Sequence, residues 1–397
     1  MRFDTVIIGG GLAGMVAGIS LQKAGKQTAI VSTGQTALHF FSGRFESMQE
    51  APQEVATLFS EAGVHLHYAP GVSLLPMGGF RESALSLQDV GIFPTEKIGH
   101  KVLIVNFVGY HDFFSSFLAE GLEKQGMECR IRFLNLADLT QPELSPNEMR
   151  AVQIARRLDQ VWEKVVQEVR VLLKDDDTVV LPQVFGLRDA TIPERIRQGI
   201  PAQVVFTGTL PPTVPGIRTQ IQLQHRYEVL GGTYLMGDKV TGAHVYEDKV
   251  HSVVTKHLDR HYLEADHFIL ATGKFFSKGL VSNPFKIFEP VFELDVDYNP
   301  DRNTWYNPVF QEQQPYQNFG VKTDDSLRTY RGGTPVSNLY AIGSILGGTH
   351  PELGWGSGLA IRSALKAVNQ ILCHSESAVS EDPSSPSAPQ DDKEMSF

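Results

Sequence analysis

The chain has 397 residues, 42% of them hydrophobic, and its 35 Lys and Arg against 45 Asp and Glu leave a formal net charge of −10. That length and apolar content suit a globular protein of two domains, or one domain split by an insertion, and the acidic balance excludes a nucleic-acid surface. Two cysteines, Cys129 and Cys373, exclude a disulfide framework or a four-thiolate iron–sulfur cluster and point to the cytoplasm, so any electron carrier held here is organic.

The first element is an apolar, β-branched run from Phe3 to Ile8 that meets Gly9-Gly10-Gly11-Leu12-Ala13-Gly14, with a helix-compatible stretch from Leu12 to Lys23. Gly-x-Gly-x-x-Gly between a strand and a helix predicts a dinucleotide-type βα unit. One glycine makes the tight turn, the second admits a phosphate to the backbone, and the third lets helix and strand pack closely. The helix N-terminus then offers unpaired N–H groups and a positive dipole end. Residues 5–22 carry no charge, but Asp4 and the triple glycine argue against a signal peptide or membrane helix. Thr28 to Ser32 is the second strand, and residues 43–95 mix Gly, Pro and short apolar runs without a readable period.

A second βα unit follows, with a strand from Lys101 to Phe107, a turn at Gly109 and an amphipathic helix from Phe113 to Lys124. Cys129 to Leu134 reads as the next strand, and with no second glycine fingerprint this unit reads as scaffold for a substrate or partner domain. Val152, Ala155, Leu158, Trp162, Val165 and Val169 give a helix with one apolar face. Asp175-Asp176-Asp177 reads as a solvated turn, and Val179–Leu181 and Val204–Phe206 as short strands. Five breakers between Thr207 and Gly216 predict a rigid loop, with a helix from Ile217 to Leu230.

From Gly231 short strands are expected at Thr233–Met236, Val240–Tyr246 and Val250–Thr255, leading into His267 to Gly273. Asn338 to Ser344 is a last strand, running into glycines up to Gly358 and a helix from Leu359 to Leu372. Ser375 to Phe397 holds six acids and one lysine among Ser and Pro and reads as a disordered tail. The expected organisation is α/β. A Rossmann-like domain of residues 1–95 and 231–372, with a parallel sheet and a β-meander, is split by an α/β domain of residues 96–230, and the tail occupies 374–397.

Three distant segments fit one idea: Gly9 to Gly14, Leu270-Ala271-Thr272-Gly273, and Ala341-Ile342-Gly343 followed by Gly356-Ser357-Gly358. The ordered set resembles the two-dinucleotide-binding-domain flavoproteins, in which the later two segments complete the flavin domain. Further, MRFDTVIIGGGLAGMVAGISLQKAG, GQTALHFFSG, TLPPTVPGIR, ATGKFFSKGL and LYAIGSILGG together resemble the B-subunit family of anaerobic glycerol-3-phosphate dehydrogenases, over positions 1 to about 370. That resemblance implies oxidation of sn-glycerol 3-phosphate to dihydroxyacetone phosphate, with electrons passed to the quinone pool and on to acceptors such as fumarate or nitrate. It also implies FMN in this chain, a separate FAD-containing catalytic subunit, and an iron–sulfur subunit that anchors the complex to the inner face of the cytoplasmic membrane. A chain that only relays electrons from the FAD-containing subunit to the iron–sulfur subunit is the alternative, and an assembly scaffold a third.

Cofactor contacts are expected from Gly9, Gly10, Gly11, Leu12, Ala13, Gly14, Ser32, Ser42, Gly43, Thr272, Gly273, Gly343, Ser344, Gly356, Ser357 and Gly358. Some 20 residues past the fingerprint, where an adenosine ribose is usually met by an acid, stand Ser32 and Thr33, and Ser344 replaces the acid of many FAD proteins. This favours FMN over FAD, although a serine can still bond a ribose hydroxyl. Alcohol oxidation needs a base and cations for the phosphate, for which His39 and His350, and Arg218 and Lys274, are the candidates. The plain alternatives are a packed histidine for His39 and surface residues for the others. Arg362 reads as an ion-pair partner, and no metal-ligand spacing appears.

Overall fold

The computed structural model describes residues 1–45, 48, 50–93, 100–135, 137, 149–258, 261–309, 311–349 and 356–380. Its N-terminal unit is strand β1 (Arg2–Ile8), helix α1 (Leu12–Lys23) and strand β2 (Thr28–Ser32), the strands pairing in parallel with Ile8 opposite Val31. Continuous apolar runs form strands here because both faces of a parallel sheet are covered. Helix α1 is buried from Leu12 to Leu21, so its sequence is apolar on every side rather than striped.

Residues 43–95 hold helix α2 (Gln53–Glu61) and an antiparallel hairpin, β3 (Leu66–Leu74) with β4 (Phe80–Leu87). The register of that hairpin shifts between Tyr68 and Gly71, where Pro70 interrupts the alternation. The next strands and helices alternate: β5 (Lys101–Phe107), α3 (Ser115–Glu123), β6 (Glu128–Leu134), α4 (Ala151–Leu172), β7 (Thr178–Pro182), α5 (Ile192–Gly199) and β8 (Gln203–Thr207). They build a parallel sheet in the order β6-β5-β7-β8 over its own apolar core. Asp175–Asp177 forms the turn expected with Asp175 and Asp177 exposed, Asp175 pairing with Lys101, but Asp176, with a side chain only 1% exposed, is not solvated and pairs with Arg130. The triplet therefore ties β5 and β6 to the turn before β7.

Helix α6 (Val214–Val229) starts three residues earlier than its sequence suggests. Thr213 caps it by accepting from the Gly216 N–H, and Pro215 is tolerated because first-turn N–H groups lack helical partners anyway. The chain then forms β9 (Thr233–Met236), β10 (Val240–Tyr246), β11 (Lys249–Thr255) and β12 (Leu263–Leu270). Two-residue strands β13 (Val281–Ser282), β14 (Ile287–Phe288), β15 (Val296–Asp297) and β16 (Gly320–Val321) pair as β13–β14 and β15–β16. Strands β17 (Arg328–Arg331) and β18 (Thr334–Ala341) precede the last helix, α7 (Gly356–Ser380), which runs beyond Leu372.

The main sheet follows β10-β11-β12-β1-β2-β9, with β18 also on β12 and β17 on β18. The β-meander pairs with the start of β12 at Leu263 and Glu264, and β18 with its end at Phe268–Leu270, so one edge serves both. The fold is thus mixed α/β, with a Rossmann-like sheet drawn from both ends of the chain. Helix α6 links the two cores, placing Val214 in one and Leu223 and Tyr227 in the other.

Candidate functional site

Register aligns the carboxyl ends of the parallel strands. Ile8 lies opposite both Leu270 and Val31, and Leu270 opposite Ala341. The residues that follow, Gly9, Ala271-Thr272-Gly273, Ser32 and Ile342-Gly343-Ser344, consequently meet at one edge of the sheet. This is the side on which open α/β sheets bind ligands.

The three fingerprint glycines have different surroundings. A Cβ on Gly9, whose φ is +119°, would collide with the Ala271 carbonyl oxygen, and one on Gly14 with the Gly9 carbonyl oxygen. A Cβ on Gly11 would meet nothing within 4 Å, because Gly11 faces a cavity of about 350 Å³. One wall of that cavity is Gly9 to Ala13, and a second is Ala271 to Gly273 with Ser277 to Gly279. Gly343, Ser344, Gly356, Ser357 and Ala360 line a third side, and Gln35 to Leu38 with Phe40 and Phe41 a fourth. The cavity continues past Ser32 and Thr33 to Asp238, Lys239 and Val240.

These walls fit a flavin nucleotide. The N-termini of α1 and α7 both open on the cavity, presenting N–H groups and positive dipole ends to an anion. Thr272 Oγ1 is buried on the wall without a protein partner among the described residues, as a hydroxyl awaiting a ligand would be. The open face at Gly11 is a cradle that any side chain would fill.

Four titratable residues line the cavity among the described residues: Asp238, Glu289, Lys239 and Lys278. Asp238 accepts from the Lys239 N–H at 2.7 Å and the His257 N–H at 3.0 Å. Burial pushes its carboxyl up, but the donors around it prevail and hold it below the ordinary range. Glu289 accepts from the N–H groups of Val291 (2.9 Å) and Phe292 (2.7 Å), and burial pushes its carboxyl up. Both acids are thus committed to backbone, whereas the two lysines are exposed.

Of the cofactor contacts expected from sequence, the cavity gathers Gly9 to Ala13, Ser32, Thr272, Gly273, Gly343, Ser344, Gly356 and Ser357. Gly14 packs behind the wall, Ser42, Gly43 and Gly358 are not on it, and a Cβ on Gly43 would meet Val90. His39 lies on the 3-10 turn Ala37–Phe40 beside the cavity but is not among its lining residues; burial lowers its pKa, and its Nδ1 is buried without a partner among the described residues. Arg218 is buried, paired with Asp89 at 2.7 Å and donating to the Gly186 carbonyl at 2.6 Å, so its guanidinium is already committed away from the cavity. Lys274 Nζ donates to the Gln317 carbonyl and to Thr349 Oγ1 (2.8 Å), anchoring its own loop. His350 lies outside the described residues. Sequence reasoning passed over Lys239 and Lys278; the one available signal was a lysine beside Gly279, five residues beyond the Ala-Thr-Gly motif.

Comparison with known proteins agrees with this geometry. The FAD binding domain family model matches residues 4–56 and 44–354. The chain is 33% identical over 417 residues to the anaerobic glycerol-3-phosphate dehydrogenase B subunit of Yersinia enterocolitica, covering 94% of this chain and 98% of that one. It belongs to the anaerobic glycerol-3-phosphate dehydrogenase B-subunit family. The B subunits of Pasteurella multocida (35% identity; 94% and 99% covered) and Glaesserella parasuis (33%; 94% and 100%) are similarly close. The family is one of flavin-binding oxidoreductase subunits, and that name itself implies a multi-subunit complex. Among the described residues no helix is long and apolar enough to cross a membrane, and no group of His, Cys, Asp and Glu suits a metal.

Proposed function

We propose that this chain is the flavoprotein subunit of an anaerobic glycerol-3-phosphate dehydrogenase, oxidising sn-glycerol 3-phosphate to dihydroxyacetone phosphate and passing electrons toward the quinone pool. In this reading it holds FMN and works at the inner face of the cytoplasmic membrane with an FAD-containing catalytic subunit and an iron–sulfur, membrane-anchoring subunit. The carrying observation is the glycine-walled cavity at the carboxyl edge of the split sheet, in a chain of this family. A bound flavin would supply the hydride acceptor. Gly9 to Ala13 and the α7 N-terminus would hold its phosphate and ring, and Thr272 would bond a hydroxyl. Ser32 and Thr33, where an adenosine-binding fold has an acid, support FMN. The continuation of the cavity to Asp238–Val240 supports FAD instead, and chromatography of the released cofactor separates the two.

The relay reading, in which this chain passes on electrons received from the FAD-containing subunit, has its own support. His39 is not among the residues that line the cavity, so the first candidate base is off its wall. Phe40, at the cavity, and Phe276 stay 51% and 73% exposed, an apolar mouth suited to a docking partner. Anaerobic glycerol 3-phosphate added to the isolated, flavin-loaded chain distinguishes the readings. Loss of the oxidised flavin absorbance makes this chain substrate-oxidising; absorbance that persists until the FAD-containing subunit is added makes it the relay.

A further inference from the structure

Lys278 is the odd residue of the cavity wall. Its φ is +61°, in the left-handed region that favours glycine, yet the position carries a long cationic side chain. Among the described residues it makes no ion pair, while both acids on the wall are held by backbone N–H groups. Glu247, Glu293 and Leu327 have a similar φ, but among these four residues Lys278 is the one that lines the cavity.

The loop that carries it is fixed at every corner. Lys274 anchors its start to Gln317 and Thr349, and the Gly279 N–H closes it on the Lys274 carbonyl at 3.0 Å. A Cβ at Gly279 would run into the Gly273 carbonyl oxygen, so the loop seals against the Ala-Thr-Gly turn. At its tip the Phe276 ring meets the Phe40 ring edge-on, with centroids 4.7 Å apart, joining two walls of the cavity. Residues 274–279 thus form a braced loop whose Lys278 is exposed and lies among the residues that line the cavity.

We infer that Lys278, one of the two lysines lining this cavity, binds the phosphate group of a phosphomonoester or nucleotide held there, the role sequence alone offered to Lys274 and Arg218. At pH 7 a phosphomonoester carries roughly −1.5 to −2 charges, more than helix termini neutralise, and an unpaired ammonium is its natural complement. The phosphate belongs either to the cofactor or to glycerol 3-phosphate. The inference rests on the flavin reading for the first source only.

Lys278→Gly tests it, because glycine adopts φ +61° freely and the fold is expected to stay as stable as the wild type or gain. Each chain, stripped of cofactor, is titrated with the flavin nucleotide released from the wild type and with riboflavin, which lacks phosphate. Calorimetry with glycerol 3-phosphate and with glycerol gives the second arm. Nucleotide affinity reduced about 10- to 100-fold, with riboflavin unaffected and Lys278→Arg largely restored, assigns the cofactor phosphate; that range corresponds to one charge-assisted hydrogen bond. Unchanged nucleotide affinity with a selective loss for glycerol 3-phosphate assigns the substrate phosphate. No change in either arm, or equal losses with and without phosphate, overturns the inference. A wild-type chain that takes up no flavin refutes the flavin reading separately and leaves the glycerol 3-phosphate arm to decide on Lys278.

Discussion

Gly11 and Gly14 are three residues apart and have opposite tolerances. Gly11 has extended backbone angles open to any residue and faces the cavity, so Gly11→Val is expected to fold with near wild-type stability while losing flavin. Gly14 touches the Gly9 carbonyl, so Gly14→Ala forces backbone apart and is expected to destabilise by about 1–3 kcal/mol. Thermal melts and flavin content of the two variants check this; reversed phenotypes would refute the assignment of roles. Two histidines give a pH signature. Burial holds the pKa of His39 and of His267 below the ordinary 6.5, so the unfolded chain binds these protons first on acidification. The stability they confer is present above about pH 6.5 and is lost as pH falls from there through the folded values. Melts at pH 7.5 and 5.5 are expected to differ less in the double variant His39→Asn, His267→Asn than in the wild type, and an identical difference would contradict the argument.

At the scale of elements, α6 decides how the two cores meet. Its buried Arg218 reaches Asp89, which follows the β3–β4 hairpin, and its cap residue Thr213 bonds the carbonyls of His39 and Phe41 beside the cavity. Arg218→Ala strands the Asp89 carboxylate in the interior, which costs about 3–5 kcal/mol. The unfolding free energy from denaturant titration is expected to fall by that amount with glycerol 3-phosphate affinity intact. A lost affinity with unchanged stability would return Arg218 to phosphate binding. The strands β1, β2, β5, β7 and β8 were legible because buried parallel strands are unbroken apolar runs. The β3–β4 hairpin was not, since Pro70-Gly71 breaks its alternation, and the start of α6 was hidden because Pro215 and Gly216 read as breakers although a capped first turn accepts them. Glycine spacing made the Gly9–Ala13 wall of the cavity legible. The surroundings of His39 and the commitment of Arg218 depend on what α6 and the second core bring alongside, which local sequence does not encode.

At the scale of the whole molecule, the cavity exists only because β1 and β2 from one end of the chain join β12, β18 and α7 from the other. The segments between fold over a separate core and return through α6, so one continuous cofactor site is assembled from three short motifs more than 250 residues apart at their extremes. The central claim is that this site holds a flavin. Its most direct test is the absorption spectrum of the purified full chain beside that of Gly11→Val, after reconstitution with excess flavin and gel filtration. The account predicts close to one flavin per wild-type chain and none in an equally folded variant. A colourless wild type, or a variant that stays fully yellow, would contradict it.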